Sequence, residues 1–413
     1  MKNYVIIGNS AAGIGAAEAI RKNDKDGKIT IISSESYHTY SRPLISYLLL
    51  GKTDEERMKY RPDSFYSDND IDFKPSTVVT AIDKDAKEVT LDNGEKLPYD
   101  KLLVATGSSP FVPPMKGLEK VKKTCSFMTL DDAHKLKSMI SEVTDHKAKV
   151  LIIGAGLIGL KCAEGISKDA EITLVDLATR PLSSILEDES GEIIKAHLEN
   201  HGMKFYLGQS AEEFTENSAK LTGGDTVDFD ILVTAVGVRP NTQLLKEIGA
   251  DVGRGIKVNS KLETSIPDIY AAGDVTESYD VSSDSVKIMA ILPNAYMQGE
   301  CAGYNMAGVE HSLDKLMPMN AIGFFGLHVL TAGALTGDYY LYHEGENYKK
   351  LYYKDNRLTG FIIIGDVKKA GIYTSLIREK TPLDSLDFDL ICKEPGLMAF
   401  TSETRKDKLG REV

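Results

Sequence analysis

Lys149-Val150-Leu151-Ile152-Ile153-Gly154-Ala155-Gly156-Leu157-Ile158-Gly159 is the stretch on which the fold turns. A short apolar run reads as a buried strand, and the glycine turn after it opens a helix-like segment from Leu160 to Ser167. The next strand, Glu171-Ile172-Thr173-Leu174-Val175, ends at Asp176, 20 residues beyond Gly156. Strand, G-x-G-x-x-G turn, helix, strand and acid form the order of a dinucleotide-binding unit. The glycines admit the pyrophosphate, the helix N-terminus supplies amide donors, and the acid grips a ribose hydroxyl. Gly154, Gly156, Leu157, Ile158, Gly159 and Asp176 are therefore candidate nucleotide contacts. A carboxylate at Asp176 repels a 2′-phosphate, so NADH is favoured over NADPH, although Arg180 stands close enough in sequence to reach such a phosphate.

The same order recurs at the N-terminus. Tyr4-Val5-Ile6-Ile7 runs into Gly8-Asn9-Ser10-Ala11-Ala12-Gly13, and an Ala-rich helical stretch continues through Ile20. A second strand, Ile29-Thr30-Ile31-Ile32, ends in Ser33-Ser34-Glu35, with the carboxylate 22 residues past Gly13. Ser10 replaces the middle glycine, and its hydroxyl can donate to a phosphate. Gly8, Ser10, Ala11, Ala12, Gly13 and Glu35 are the candidate contacts of this copy. Two dinucleotide sites in one chain imply a flavin and a nicotinamide brought together for hydride transfer.

Outward from these signatures, 413 residues suggest two or three domains, and 42% hydrophobic with 27% charged residues is an ordinary globular composition. A net charge of -12 argues against a broad electrostatic hold on nucleic acid or anionic lipid. Cys125, Cys162, Cys301 and Cys392 form no CxxC, which excludes a zinc ribbon, iron–sulfur cluster or dithiol by spacing and fits a cytoplasmic protein with reduced thiols. No apolar stretch approaches the roughly 18 residues that span a bilayer, and the pattern begins too early for a cleavable signal, so a soluble intracellular protein is expected.

Three further segments carry a resemblance. Tyr99-Asp100-Lys101-Leu102-Leu103-Val104-Ala105-Thr106-Gly107, Ala235-Val236-Gly237-Val238-Arg239-Pro240-Asn241 and Ile266-Pro267-Asp268-Ile269-Tyr270-Ala271-Ala272-Gly273-Asp274-Val275, in that order, resemble the two-dinucleotide-binding-domain flavoproteins of the pyridine-nucleotide–disulfide oxidoreductase superfamily. The resemblance implies an α/β fold of two Rossmann-like domains, the NAD domain inserted in the FAD domain, plus a C-terminal α+β domain. It places the first FAD segment at 1–113, the NAD(H) domain at 114–242, the second FAD segment at 243–318 and the interface domain at 319–413. It also implies FAD contacts at Ala105, Thr106, Gly107, Gly273, Asp274 and Val275, and a contact near the nicotinamide at Gly237. Glu35 or the adjacent Ser34 matches the adenosine-ribose position, Val79 the strand beside the adenine, and Arg42 the arginine at the phosphate end.

Departures from the family pattern bear on chemistry. The stretch Tyr40 to Leu50 holds no cysteine where disulfide reductases keep one or two, with Pro43 near the single-cysteine position, so electrons are expected to leave the flavin directly. Ser41-Arg42-Pro43-Leu44-Ile45-Ser46 and the stretch from Ala370 to Leu383 look like NADH:rubredoxin reductases and the FAD/NAD part of nitrite reductase large subunits. No siroheme module and no fused rubredoxin domain is expected, which makes the acceptor a separate carrier protein such as rubredoxin. Tyr47 and Lys161 stand where relatives place a Lys–Glu pair near flavin N5. Lys161 is therefore a candidate for the charge role at the flavin, against the plainer reading that it faces solvent or pairs with Glu164 at i+3.

The remaining signals are weaker. Leu351–Lys354 and Leu358–Ile364 bracket Asp355-Asn356-Arg357 as a hairpin, and a helix is expected from Gly371 to Glu379. Phe324, Phe325, Leu327 and His328 are candidate flavin neighbours or core. His197 and His201, at i, i+4 before Gly202, read as a solvated helix end and not a metal site. Three basic clusters, Arg57/Lys59/Arg61, Lys116/Lys120/Lys122/Lys123 and Lys349/Lys350/Lys354/Arg357, could dock an acidic carrier or simply be solvated. The expected function is transfer of electrons from NADH through FAD to rubredoxin by a monomer or homodimer. An NADH oxidase acting on oxygen, and a non-catalytic FAD/NADH-binding sensor or assembly subunit, are the rivals.

Overall fold

Each nucleotide signature begins on the central strand of a five-stranded parallel sheet. Around Asn3–Ile7 the order is Ile269–Ala271, Lys101–Val104, Asn3–Ile7, Lys28–Ile32, Ile71–Lys74. Around Ala148–Ile153 it is Lys204–Leu207, Ala170–Asp176, Ala148–Ile153, Ile231–Thr234, Thr124–Cys125. Strands of such sheets are covered on both faces, which is why they read as continuous apolar runs without alternation. Val5, Ile7, Ile32, Val104 and Ala271 accordingly sit in one buried cluster, and Leu151, Ile153, Val175 and Leu232 in another.

The computed structural model describes residues 1–410. Packing divides them into two units, one of residues 1–36, 66–107 and 240 onward, the other of residues 37–65 and 108–239. The helices that position the sites are α1 (Ala11–Asn23), α2 (Leu157–Ile166) and α3 (Leu292–Ala307). Within the first unit, α3 lies against α1 at a distance only glycine allows. A methyl on Gly299 would sit 1.9 Å from the Ala12 carbonyl oxygen, and one on Gly303 2.5 Å from that of Ala16. Glycine and alanine, spaced four apart on facing helices, thus bring the two backbones together.

Where the first unit's chain leaves and returns, it is bonded to itself. Thr106 Oγ1 donates to the Asn241 carbonyl (3.0 Å), Asn241 Nδ2 to the Thr106 carbonyl (2.9 Å), and the Asn241 amide to Gly107 (3.0 Å). Also in this unit is an antiparallel sheet in the order Met319–Phe324, Leu327–Gly333, Arg357–Ile364, Asn347–Lys354, Asp338–Glu344. Tyr373, Leu376 and Ile377 of helix Ala370–Arg378 pack on its Leu351, Phe361 and Ile363. The expected hairpin is the pairing of its Asn347–Lys354 and Arg357–Ile364 strands, joined through Asp355 and Asn356 at φ 51° and 61°. Positive φ at both turn positions is the two-residue hairpin geometry that Asp and Asn tolerate.

Residues 37–65, which the family resemblance assigns to the first FAD segment, group here with the second unit. The bonds that tie them there join distant residues. Tyr37 Oη donates to Asp131, the Leu130 amide donates to Tyr40 Oη (3.0 Å), His134 Nε2 meets Glu55 (3.0 Å), and Lys168 Nζ reaches the Leu50 carbonyl (3.4 Å).

Candidate active site

The two sheets build two cradles of one design. In the first unit Ile7 is in register with Ile32 and Val104, and Val104 with Ala271, so four neighbouring strands end in one row. Gly8, Ser33, Ala105 and Ala272 follow directly, and open parallel sheets bind ligands at that carboxyl edge. This brings together Gly8–Gly13, Ser34 and Glu35, Ala105–Gly107 and Gly273–Val275. The turn fits a pyrophosphate. A methyl on Gly8 (φ 125°) would lie 2.2 Å from the Ala105 carbonyl oxygen, and one on Gly13 2.0 Å from that of Gly8. Ser10 caps α1 without a side-chain bond to it, and the first intrahelical bond is from Ile14 to Ser10. The Gly8 amide is committed to the Ile32 carbonyl (2.9 Å), whereas the first amides of α1 have no place in the helix ladder and can serve an anion.

Ser34 is exposed and Glu35 half-buried. The Glu35 amide donates to Ser33 Oγ (3.2 Å), and its carbonyl accepts from Ser76 (3.1 Å), which joins the strand end to the segment before Val79. Val79 itself is buried with Ile7, Val104 and Val275, so any contact it offers a ligand is through its backbone. Gly273 takes φ 84°, and Asp274 beside it is half-buried.

In the second unit Ile153 is in register with Val175 and Thr234, placing Gly154, Asp176 and Ala235 at the same kind of edge. Methyls on Gly154 and Gly159 would lie 2.3 and 1.9 Å from the carbonyl oxygens of Ala235 and Gly154, whereas nothing lies within 4 Å of one on Gly156. Leu157 and Ile158 form the first turn of α2. The Asp176 carboxylate accepts from the amides of Ala155 (2.6 Å) and Ala178 (2.7 Å), which fixes it beside the glycine turn. Arg180 points elsewhere. Its Nε donates to the Leu186 carbonyl (2.9 Å) and its Nη1 to Asp188 (2.6 Å), while its stem fills the space a methyl on Gly191 would need. Gly237, at φ 120°, accepts from the Phe111 amide (2.9 Å) in this same unit.

Lys161 and Tyr47, both of the second unit, also meet. Lys161 Nζ lies 4.6 Å from the centre of the Tyr47 ring and forms an ion pair with Glu164, whose side chain is 3% exposed. The i, i+3 pairing weighed from the sequence is thus formed, with an aromatic face added that periodicity could not show. Arg42 opens a short 3₁₀ turn of the second unit, its Nη1 near the Met128 carbonyl (3.3 Å) and Tyr40 Oη (3.4 Å).

All four cysteines are buried and unbridged. Burial pushes the thiols of Cys125 and Cys301 up to about 12 and that of Cys392 to about 11, and raises Cys162 as well, so none is poised as a thiolate nucleophile. Phe324 and Leu327 face each other as a buried hairpin pair and His328 is exposed. His201 Nδ1 bonds the His197 carbonyl (2.8 Å) at the end of helix Asp188–Asn200. Two of the basic clusters are largely neutralised by their own neighbours. Lys116, Lys122 and Lys123 pair with Glu213, Glu216 and Glu142, and Arg57 and Lys59 with Asp54, Glu56 and Asp63. Among the described residues no helix is long and apolar enough to cross a membrane.

Comparison with known proteins agrees with this geometry. The pyridine nucleotide-disulphide oxidoreductase family matches residues 2–299, and the rubredoxin NAD+ reductase C-terminal domain matches residues 318–381. The chain belongs to the pyridine nucleotide-disulphide oxidoreductase family and is a nicotinamide-dependent flavoprotein oxidoreductase of the rubredoxin reductase-like branch. The NADH-dependent phenylglyoxylate dehydrogenase subunit epsilon of Aromatoleum evansii is 31% identical over 93% of each chain. The NADH-rubredoxin oxidoreductase of Clostridium acetobutylicum is 30% identical over 88% of this chain and 91% of its own. The crystal structure of the NADH:rubredoxin oxidoreductase from Clostridium acetobutylicum superimposes with a TM-score of 0.76 at 28% identity, covering 93% of this chain and 96% of that one.

Proposed function

We propose that the protein oxidises NADH and passes the electrons, through FAD, to a separate iron–sulfur carrier protein of the rubredoxin kind. The observation that carries this reading is the pair of complete dinucleotide cradles in a chain whose four thiols are buried and protonated. Bound FAD supplies the conversion of a two-electron donor into single electrons for such an acceptor. The chain's own residues do the rest. Gly8–Gly13 and the N-terminus of α1 hold the FAD pyrophosphate, Glu35 or Ser34 the adenosine ribose, and Ala105–Gly107 with Gly273–Val275 the remainder.

In the inserted domain, Gly154–Gly159 and α2 take the NADH pyrophosphate, Asp176 its ribose, and Gly237 the nicotinamide side. Asp176 repels a 2′-phosphate, and the commitment of Arg180 to Leu186 and Asp188 supports NADH over NADPH. Lys161 is already neutralised by Glu164 and covered by Tyr47, so a part for it in the chemistry is a separate question for mutagenesis. Replacing both members of the ion pair, Lys161→Met with Glu164→Gln, avoids stranding a buried carboxylate; slowed flavin reduction would assign Lys161 a charge role, and an unchanged rate would leave it structural.

A second reading has one specific support, the match along 93% of a dehydrogenase subunit. In it the acceptor is a partner subunit and not a free carrier. Anaerobic stopped-flow mixing with NADH, then NADPH, followed by a pulse of rubredoxin separates the cases. Fast bleaching of the flavin by NADH with reoxidation by rubredoxin supports the carrier reading. Bleaching without reoxidation turns the search to a bound subunit, and no bleaching overturns both.

A further inference from the structure

Asp274 is carried by a left-handed turn at Gly273, and a glycine turn has no side chain of its own to hold it. The holding group lies in α3. Gln298, 2% exposed, accepts from the Gly273 amide at 2.6 Å and lies 2.9 Å from Thr276 Oγ1 through its Oε1, and its Nε2 donates to Ser278 Oγ at 3.2 Å. Thr276 and Ser278 are also buried, and the Thr276 hydroxyl lies 2.8 Å from the Gly273 carbonyl. The orientation of the amide is fixed by chemistry. A backbone N–H can only donate, so the oxygen of Gln298 must face Gly273 and its nitrogen must face Ser278.

The next residue along α3 meets the other half of the same cradle. Gly299 touches the Ala12 carbonyl in the first turn of α1, at the contact distance described above. One turn of α3 therefore sets two segments at once, the amide-bearing start of α1 and the Gly273–Asp274 turn. We propose that Gln298 is a positioning residue for the flavin, holding the Gly273–Asp274 turn at a fixed height over the N-terminus of α1. The proposal rests on the assignment of this cradle to FAD.

Three variants of the holoenzyme test it. Gln298→Met keeps the volume and removes all three contacts, Thr276→Val removes one hydroxyl beside the turn, and Ser278→Ala leaves the Gln298–Gly273 bond in place. The rate of FAD release, the flavin absorption band and its midpoint potential are read in each. Loss of a buried hydrogen-bonded group changes an equilibrium by roughly 10-fold or more, so FAD release is expected to rise at least ~10-fold in Gln298→Met. Thr276→Val should follow at about 3-fold, and Ser278→Ala should stay near wild type. The band and potential should shift in the same order, while NADH affinity at the other sheet stays unchanged. A flat series, or Ser278→Ala as strong as Gln298→Met, overturns the proposal. Should Gln298→Met fail to fold, the ranking of Thr276→Val above Ser278→Ala decides alone. A wild-type protein that carries no flavin would instead sink the functional reading.

Discussion

Of the three glycine positions in the signature, the turn of the first sheet and that of the second differ only at the middle one, and the difference separates two kinds of demand. At the outer glycines the turns are superimposable in their constraints. Added methyls would lie 2.2 and 2.0 Å from backbone carbonyls in one turn, and 2.3 and 1.9 Å in the other. At the middle position one turn has Ser10 and the other Gly156, beside which 4 Å of space stands open. The fold therefore demands the outer glycines and leaves the middle position to whatever binds there.

The largest expected effect tests the fold's demand. Gly13→Ala and Gly159→Ala press a methyl into a carbonyl that cannot move without the sheet, and each should destabilise its unit by at least about 3 kcal/mol, read as a loss of soluble protein or a lowered melting temperature. A tolerated alanine at either site would break the comparison. Next comes the acid of the second cradle. Asp176→Ala removes the carboxylate proposed to hold the ribose, and the NADH dissociation constant should rise roughly 10- to 100-fold while that for NADPH changes less. Titration of both nucleotides measures it.

Smaller changes probe the ligand's demand. Gly156→Ser makes the second turn resemble the first. Serine is a good helix N-cap, so stability should shift by less than about 1 kcal/mol while NADH binding weakens, visible as a raised KM at unchanged melting temperature. The reverse change, Ser10→Gly, should alter the stability of the first unit by only a few tenths of a kcal/mol. A pronounced loss of FAD there would show that the Ser10 hydroxyl is itself a phosphate ligand, which sharpens the contrast.

The glycine turn of each cradle was legible in the sequence because it is made by local signals: an apolar run, close-packed glycines and an acid at the end of the next strand; Ala105–Gly107 and Gly273–Val275 came only through the family resemblance. The hairpin through Asp355 and Asn356 was readable for the same reason. What escaped were the partnerships that no motif or regular spacing encodes. Gln298 carries no motif, and its role follows from meeting Gly273, 25 positions away. The clasp on Arg180 depends on Leu186 and Asp188 being turned back by the start of a helix, and the Tyr47 face under Lys161 depends on residues 37–65 packing in the second unit. Periodicity places a residue on a face, but it does not say which face comes to meet it.

The close seat of Gly299 on Ala12 has a consequence for biosynthesis. Ribosomes add about 5–20 residues per second, so α1 leaves the tunnel roughly 15–60 s before the helix that covers its alanine face. In that interval the Ala12 and Ala16 carbonyl region and the neighbouring strands have no finished partner, while the glycine turn of the second sheet and its strands emerge close together. A nascent chain stalled before residue 299 should thus be a chaperone client through its first hundred residues, with its inserted nucleotide domain already formed.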